Sequence, residues 1–219
     1  MTIRNAALVS AGLVAATAAV GVWAWWRLPA GATIAIHFNF HGDPDGFAPK
    51  AVGLALMPLI GALVVALLAA LPAIAPRRKA LEASADAFGT VMIGVAAIFL
   101  VTQCAIVARA MDPRFDVIRW LFVAIGVLFI AVGNVLGKLR HNYFIGIRTP
   151  WALANERVWD KTHRFTGRLM LLAGLTLAAG AALIADHRLI IALLIFCAAG
   201  PAIAGAIYSW RTYRRLGMS

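Results

Sequence analysis

Long apolar stretches alternate with short polar ones along the whole chain. Six of them reach the roughly 20 residues that a helix needs to cross a bilayer. They run from Ala6 to Trp26, Val52 to Ile74, Ala85 to Ala108, Ile118 to Leu136, Phe165 to Ala185 and Leu189 to Tyr208. Only Asp186, His187 and Arg188 separate the last two, which predicts a tight antiparallel helical hairpin. The pattern predicts an all-α, polytopic membrane helix bundle of about six transmembrane helices, with a short β-like, turn-rich outer loop. It divides into an amino-terminal two-helix module, residues 1–80, and a four-helix module, residues 81–219, whose polar loop spans 137–168. The first run is too long for the apolar core of a signal peptide. It ends in Trp23, Trp25, Trp26 and Arg27, an interfacial aromatic belt, so it is expected to be a retained helix.

The first connection, Leu28 to Lys50, has a pattern of its own. Ile34, Ile36, Phe38 and Phe40 alternate with Ala35, His37 and Asn39, which predicts a short strand over Thr33 to Phe40. Asp43-Pro44-Asp45-Gly46 then has the preferences of a type I turn. His37, His41, Asp43 and Asp45 invite a metal reading. The aspartates do not complete a calcium loop, because Val52 stands where such a loop needs Glu. His37 and Asn39 holding a turn together at the membrane surface is the better account.

Composition agrees with a membrane chain. The sequence is 63% hydrophobic and 13% charged, with a mean hydropathy of +0.86; soluble domains run nearer half apolar and a quarter charged. The net charge of +11 raises nucleic-acid binding, but the cations lie between apolar runs, so none is expected. Fourteen of the 20 Lys and Arg fall on one side if the amino terminus is inside, against six on the other. That bias predicts both termini, and the 137–168 loop, on the cytoplasmic side of a bacterial inner membrane. Cys104 and Cys197 sit in apolar runs, in no paired-cysteine pattern. Within the spans Gln103 and Asn134 are the clear polar residues. So few ionisable groups, with no internal repeat, argue against a proton-coupled pump or secondary transporter.

The loop from Gly137 to Arg168 holds the densest polar chemistry. Thr149-Pro150 is a helix start, with Thr as cap and Pro in the first turn, and the helix is expected to run through Trp159 into the fifth span. Glu156, Asp160 and His163 fall on one helical face and are the second weak metal candidate. Arg157, Lys161, Arg164 and Arg168 fall on the adjacent face, suited to anionic lipid, with Trp151 and Trp159 suited to headgroups. Gly126, Gly133 and Gly137 recur on the fourth span, for packing inside the bundle or, in the sharper alternative, for a homodimer face. No nucleophile and base stand in a recognisable motif, so no enzyme and no cofactor are read.

These two loops carry a family resemblance. IHFNFHGDPDGFAPK and GNVLGKLRHNYFIGIRTPWALANERVWDKTHRFTGRL resemble the amino-terminal and carboxy-terminal modules of the SdpI family of bacterial membrane proteins. The resemblance implies a toxin-immunity and signalling protein that works by binding. A secreted, membrane-active peptide would act outside, and a small cytoplasmic repressor would be captured inside. The motif positions it implies in the inner loop are Asn134, Gly137, Lys138, Asn142, Tyr143, Gly146, Arg148, Thr149, Pro150, Trp151, Glu156, Trp159, His163 and Gly167. In the outer loop they are His37, Asn39, Gly42, Pro44, Asp45 and Gly46, with Asp43 beside them. The rival readings are a small transporter or channel and a metal-dependent membrane enzyme.

Overall fold

The computed structural model describes residues 1–74, 82–142 and 145–217. Its elements, in chain order, are α1 (Ile3–Arg27), β1 (Thr33–Phe38), β2 (Pro44–Pro49), α2 (Lys50–Ile74), α3 (Ala85–Met111), α4 (Val117–Leu136), α5 (Pro150–Ala154), α6 (Glu156–Leu183) and α7 (His187–Arg215). Among the described residues, α1, α2, α3, α4, α6 and α7 are long and apolar enough to cross a membrane. This is a multi-pass membrane protein. Leu59, Leu63, Leu67, Leu172, Phe196 and Ile203 point outward, where lipid replaces protein as the apolar solvent.

Capping residues set where the helices begin. Thr2, Asp116, Asn155 and Asp186 each accept a hydrogen bond from an amide in the first turn of α1, α4, α6 and α7. The helices form two groups, α1–α2–α3 and α4–α6–α7, joined where α3 packs on α4. The glycines of α4 are used inside this chain. A Cβ at Gly133 would lie 2.6–2.7 Å from the Leu171 nitrogen and the Gly167 oxygen, and Gly126 faces Gly174 and Ala178 equally closely. The two backbones therefore touch, and α6 occupies the face that sequence alone left open to a homodimer.

Pro58 lies inside α2 and supplies no N–H to the Leu54 carbonyl four residues back. Gln103 of α3, wholly buried, fills that gap: its Nε2 donates to Leu54 O at 3.2 Å. Gly21 of α1 makes room, since a Cβ there would lie 3.0 Å from that oxygen and 3.2 Å from the amide nitrogen. The polar residue of the third span is thus the partner of a proline-freed carbonyl.

The first connection is a β-hairpin, but its reversal lies earlier than the Asp-Pro-Asp-Gly sequence suggests. The chain turns at Asn39–Asp43, where Asn39 Oδ1 accepts from the amides of His41 and Asp43, and Pro44 already begins β2. Irregular register at Ala35, His37 and Phe38 breaks the simple alternation. Ile34 is buried against α2 at Gly53, whereas Ile36 and Phe40 face outward.

Candidate functional site

At the end of the bundle that holds both termini, α6 outruns its neighbour. Gly137 closes α4 opposite Arg164, so residues 156–163 project past it by about 12 Å at the usual rise per residue. Residues 139–142 and 145–147 fold onto this overhang as a strap. Trp159, fully buried, donates from Nε1 to Leu139 O at 2.8 Å. His163, also fully buried, accepts from the Ile147 amide at Nε2 (2.9 Å) and contacts Trp159 O through Nδ1 (2.8 Å). Those two bonds assign the neutral tautomer with the proton on Nδ1. The rings of Trp159 and His163 stack at 4.0 Å, and His141 meets Trp159 edge-on at 5.1 Å.

The rest of the strap is tied down as thoroughly. Asn142 donates to Arg140 O (2.8 Å) and accepts from the Ile145 amide (2.9 Å). The Arg140 amide reaches Ser84 Oγ at the start of α3 (3.0 Å). Thr149 caps α5 and bonds Ser209 Oγ on α7 at 2.7 Å. Gly146 has φ +108°, and a Cβ there would be driven into His163 Nε2. With Ala152, Val158 and Leu139 around Trp159, this end carries a small apolar core of its own outside the membrane-spanning part.

At the opposite end Asp116 anchors a polar network. It accepts from the Arg119 amide (3.0 Å), Arg119 Nε (3.1 Å) and His187 Nε2 (3.0 Å). Arg119 also donates to the carbonyls of Ala181, Ala182 and Ile184, capping the end of α6. Burial alone would raise the Asp116 carboxyl, but bonds from the Arg119 amide, His187 and the Arg119 side chain outweigh it and hold the group below the ordinary carboxylate range. The hairpin tip rests on this network: a Cβ at Gly42 would lie 3.0 Å from the His187 ring. Arg188 places a guanidinium nitrogen 3.0 and 3.1 Å from the two ring nitrogens of His41. A nitrogen equidistant from both lies against the ring face, a cation–aromatic contact. Within the hairpin, His37 Nδ1 bonds Asp45 at 2.5 Å.

Against known families, residues 138–209 match the SdpI/YfhL protein family, and residues 12–62 match a domain of unknown function, DUF1648. The chain is 26% identical over 114 residues to "Immunity protein SdpI" of Bacillus subtilis (strain 168), covering 52% of this chain and 53% of that protein. Residues 138–209 are thus an SdpI/YfhL-family region. The aligned part spans about half the length of that relative. No solved structure matches.

The SdpI-family stretch holds most of the inner motif residues, and the structure separates them into two sets. Asn142, Trp159 and His163 are buried, and Thr149 is half-buried; their polar atoms hold the strap. Lys138, Arg148, Pro150 and Glu156 are exposed, Trp151 is half-buried, and Asn134 is exposed on α4. Tyr143 lies outside the described residues, as do Arg77, Arg78 and Lys79 of the charge count. Trp159 is not a headgroup residue, because the strap and α5 cover it. The helix expected from Thr149 through Trp159 is two helices: Asn155 ends α5 in an extended conformation and caps α6.

The two metal groupings do not assemble. Glu156 and Asp160 face solvent while His163 turns inward with both ring nitrogens on backbone groups. In the hairpin His37 pairs with Asp45, His41 packs on Arg188, Asn39 bonds the turn amides, and Asp43 is exposed near them. No group of three potential ligands converges among the described residues. Sequence reasoning missed Ser84, Arg119, Asp116 and Ser209, which fasten the two ends. Asp116 and Arg119 had a local signal, an Asp directly before an apolar run with an Arg three residues on. Ser84 and Ser209 had none.

Proposed function

We propose that this protein is a membrane immunity protein of the inner membrane that acts by binding, with both termini and the strap in the cytoplasm. Its outer hairpin meets a secreted, membrane-active peptide, and its strap end recruits a cytoplasmic regulator. The match to Immunity protein SdpI carries the reading. The form of the hairpin supports it. Phe40 is 72% exposed and Phe47 57% exposed, with Ile36 also outward. Exposed apolar side chains along the hairpin at the bilayer surface suit an amphipathic peptide. The hairpin is fastened to the SdpI-family part through Arg188 and His187, so a load on residues 33–49 reaches α6 and α7, whose far ends carry the strap. Modules 1–80 and 81–219 thus act as receiver and reporter. On the strap side, Lys138, Arg148, Pro150 and Glu156 offer the exposed surface, with Trp151 and Asn134 beside it.

The test is a sensitive host expressing each variant, scored for survival against the cognate peptide and for membrane recruitment of a fluorescent regulator. Phe40→Ser, His37→Ala or Asp45→Ala should lower survival and leave recruitment by a constitutively bound partner unchanged. Arg148→Ala or Glu156→Ala should do the reverse. Loss of both activities together in every folded variant, or of neither, would refute the division of labour.

A further inference from the structure

The overhang of α6 carries a second surface that the strap does not use. Arg157, Lys161, Arg164 and Arg168 recur at helical spacing and are all exposed. Over eleven residues the stripe is about 16 Å long. Among the described residues none of the four forms an ion pair. Glu156 and Asp160 lie on the neighbouring flank.

The depth of this stripe is fixed by contacts. Arg164 is level with Gly137, the last turn of α4, so Arg157 and Lys161 lie beyond the membrane-spanning part and Arg168 about one turn within it. Phe165 stacks on Tyr208 of α7 at 4.3 Å on that same level. On α7, Arg214 covers the face of Trp210, itself 39% exposed, at 5.5 Å. Aromatics at one level, with cations beside and just beyond them, match the layering of a lipid headgroup region. An arginine one turn too deep reaches phosphate by extending its stem toward the surface.

We propose that the α6 stripe, with Arg214 and Trp210 of α7, is a docking face for anionic glycerophospholipid headgroups of the leaflet on the strap side. The assignment is independent of immunity. Charge complementarity selects the occupant: four exposed cations at headgroup depth, with no ion pair among the described residues, Arg164 standing at the edge of α4 beside Gly137. Bound phosphates would fix how far the overhang stands from the membrane, and so where the strap is presented.

The full chain, purified in neutral detergent, is mixed with phosphatidylglycerol, phosphatidylcholine or inorganic phosphate. Bound lipid is counted by native mass spectrometry, and melting is followed in parallel. Phosphatidylglycerol alone should be retained and should raise the melting temperature. Replacing all four cations with Gln should weaken its retention by at least about tenfold, since each cation near an anionic surface contributes severalfold. The variant with Arg157, Arg164 and Arg168 changed to Lys should retain it. Equal retention of phosphatidylcholine, or full retention by the Gln variant, overturns the proposal. Equal stabilisation by inorganic phosphate overturns it in favour of a free-anion site. Soluble polyglutamate binding the protein in phosphatidylcholine nanodiscs as tightly as phosphatidylglycerol does overturns it in favour of an acidic protein partner. Should the Gln variant fail to fold, the wild type decides. Retention must fall steeply toward 1 M salt, where the screening length is about 3 Å, and salt-indifferent retention overturns the assignment.

Discussion

Gly146→Ala puts the strap's rigidity to a quantitative test. The residue sits at φ +108°, a conformation that costs a residue with a Cβ about 1–3 kcal/mol. Its new methyl group would also displace His163 Nε2, the acceptor of the Ile147 amide. A buried amide left without an acceptor costs about 1–3 kcal/mol more. The sum, about 2–6 kcal/mol, corresponds to a melting temperature lower by roughly 4–24 °C for a chain of this size. Thermal unfolding of the purified protein in detergent measures it, with near-ultraviolet circular dichroism reporting the Trp159–His163 stack. The decisive form is a double-mutant cycle. His163→Ala removes the ring that the methyl group strikes, so adding Gly146→Ala to that background should cost only the backbone term. The two substitutions should therefore couple by about 1–3 kcal/mol. Additivity within about 0.5 kcal/mol, or an unchanged melting temperature for Gly146→Ala alone, refutes the strap geometry.

Three further outcomes follow from the structure. Gln103→Leu, which returns the Leu54 carbonyl to an unpartnered state, should destabilise by about 1 kcal/mol, the usual worth of such a bond between membrane helices; in a Pro58→Ala background, where the helix supplies its own donor, most of that loss should vanish. The Asp116 carboxyl is held low in the folded protein, so its contribution is fully present above its unfolded value near 3.9 and is lost as pH falls below that toward the folded value. Melting followed from neutral pH to pH 3 should show that acid loss, and Asp116→Asn should flatten it. In a background with Cys104 and Cys197 replaced, Phe47→Cys should react with an impermeant thiol reagent in whole cells and Ala154→Cys should not; the opposite result reverses the topology.

How much of this was legible in the sequence depends on which physical signal each feature leaves. Six spans could be read directly, because a bilayer demands some 20 apolar residues in a row whatever they pack against. Capping at Thr149 could be read because it is settled within four residues. The hairpin's existence was visible in its alternation, but its turn was not: Asn39, Pro44 and Gly46 all favour reversal, and only pairing with β1 selects Asn39–Asp43. Breaking the helix at Asn155 was equally invisible, since a good cap and a tolerable helix interior are the same residue until Trp159 is covered.

The sequence by itself determined the medium, the number of crossings and the two polar loops, since these rest on one-dimensional quantities: run length, charge count and local turn chemistry. Tertiary structure alone decided what the polar residues do. His163 and Glu156 share a helical face on paper, yet one is wholly buried and the other exposed, because the strap residues, 139–142 and 145–147, return over only part of the overhang. Gly133 became a contact inside the chain, not between chains, because α6 arrives against it. In each case the deciding partner lies many residues away, and its free energy appears only once the chain has folded back on itself.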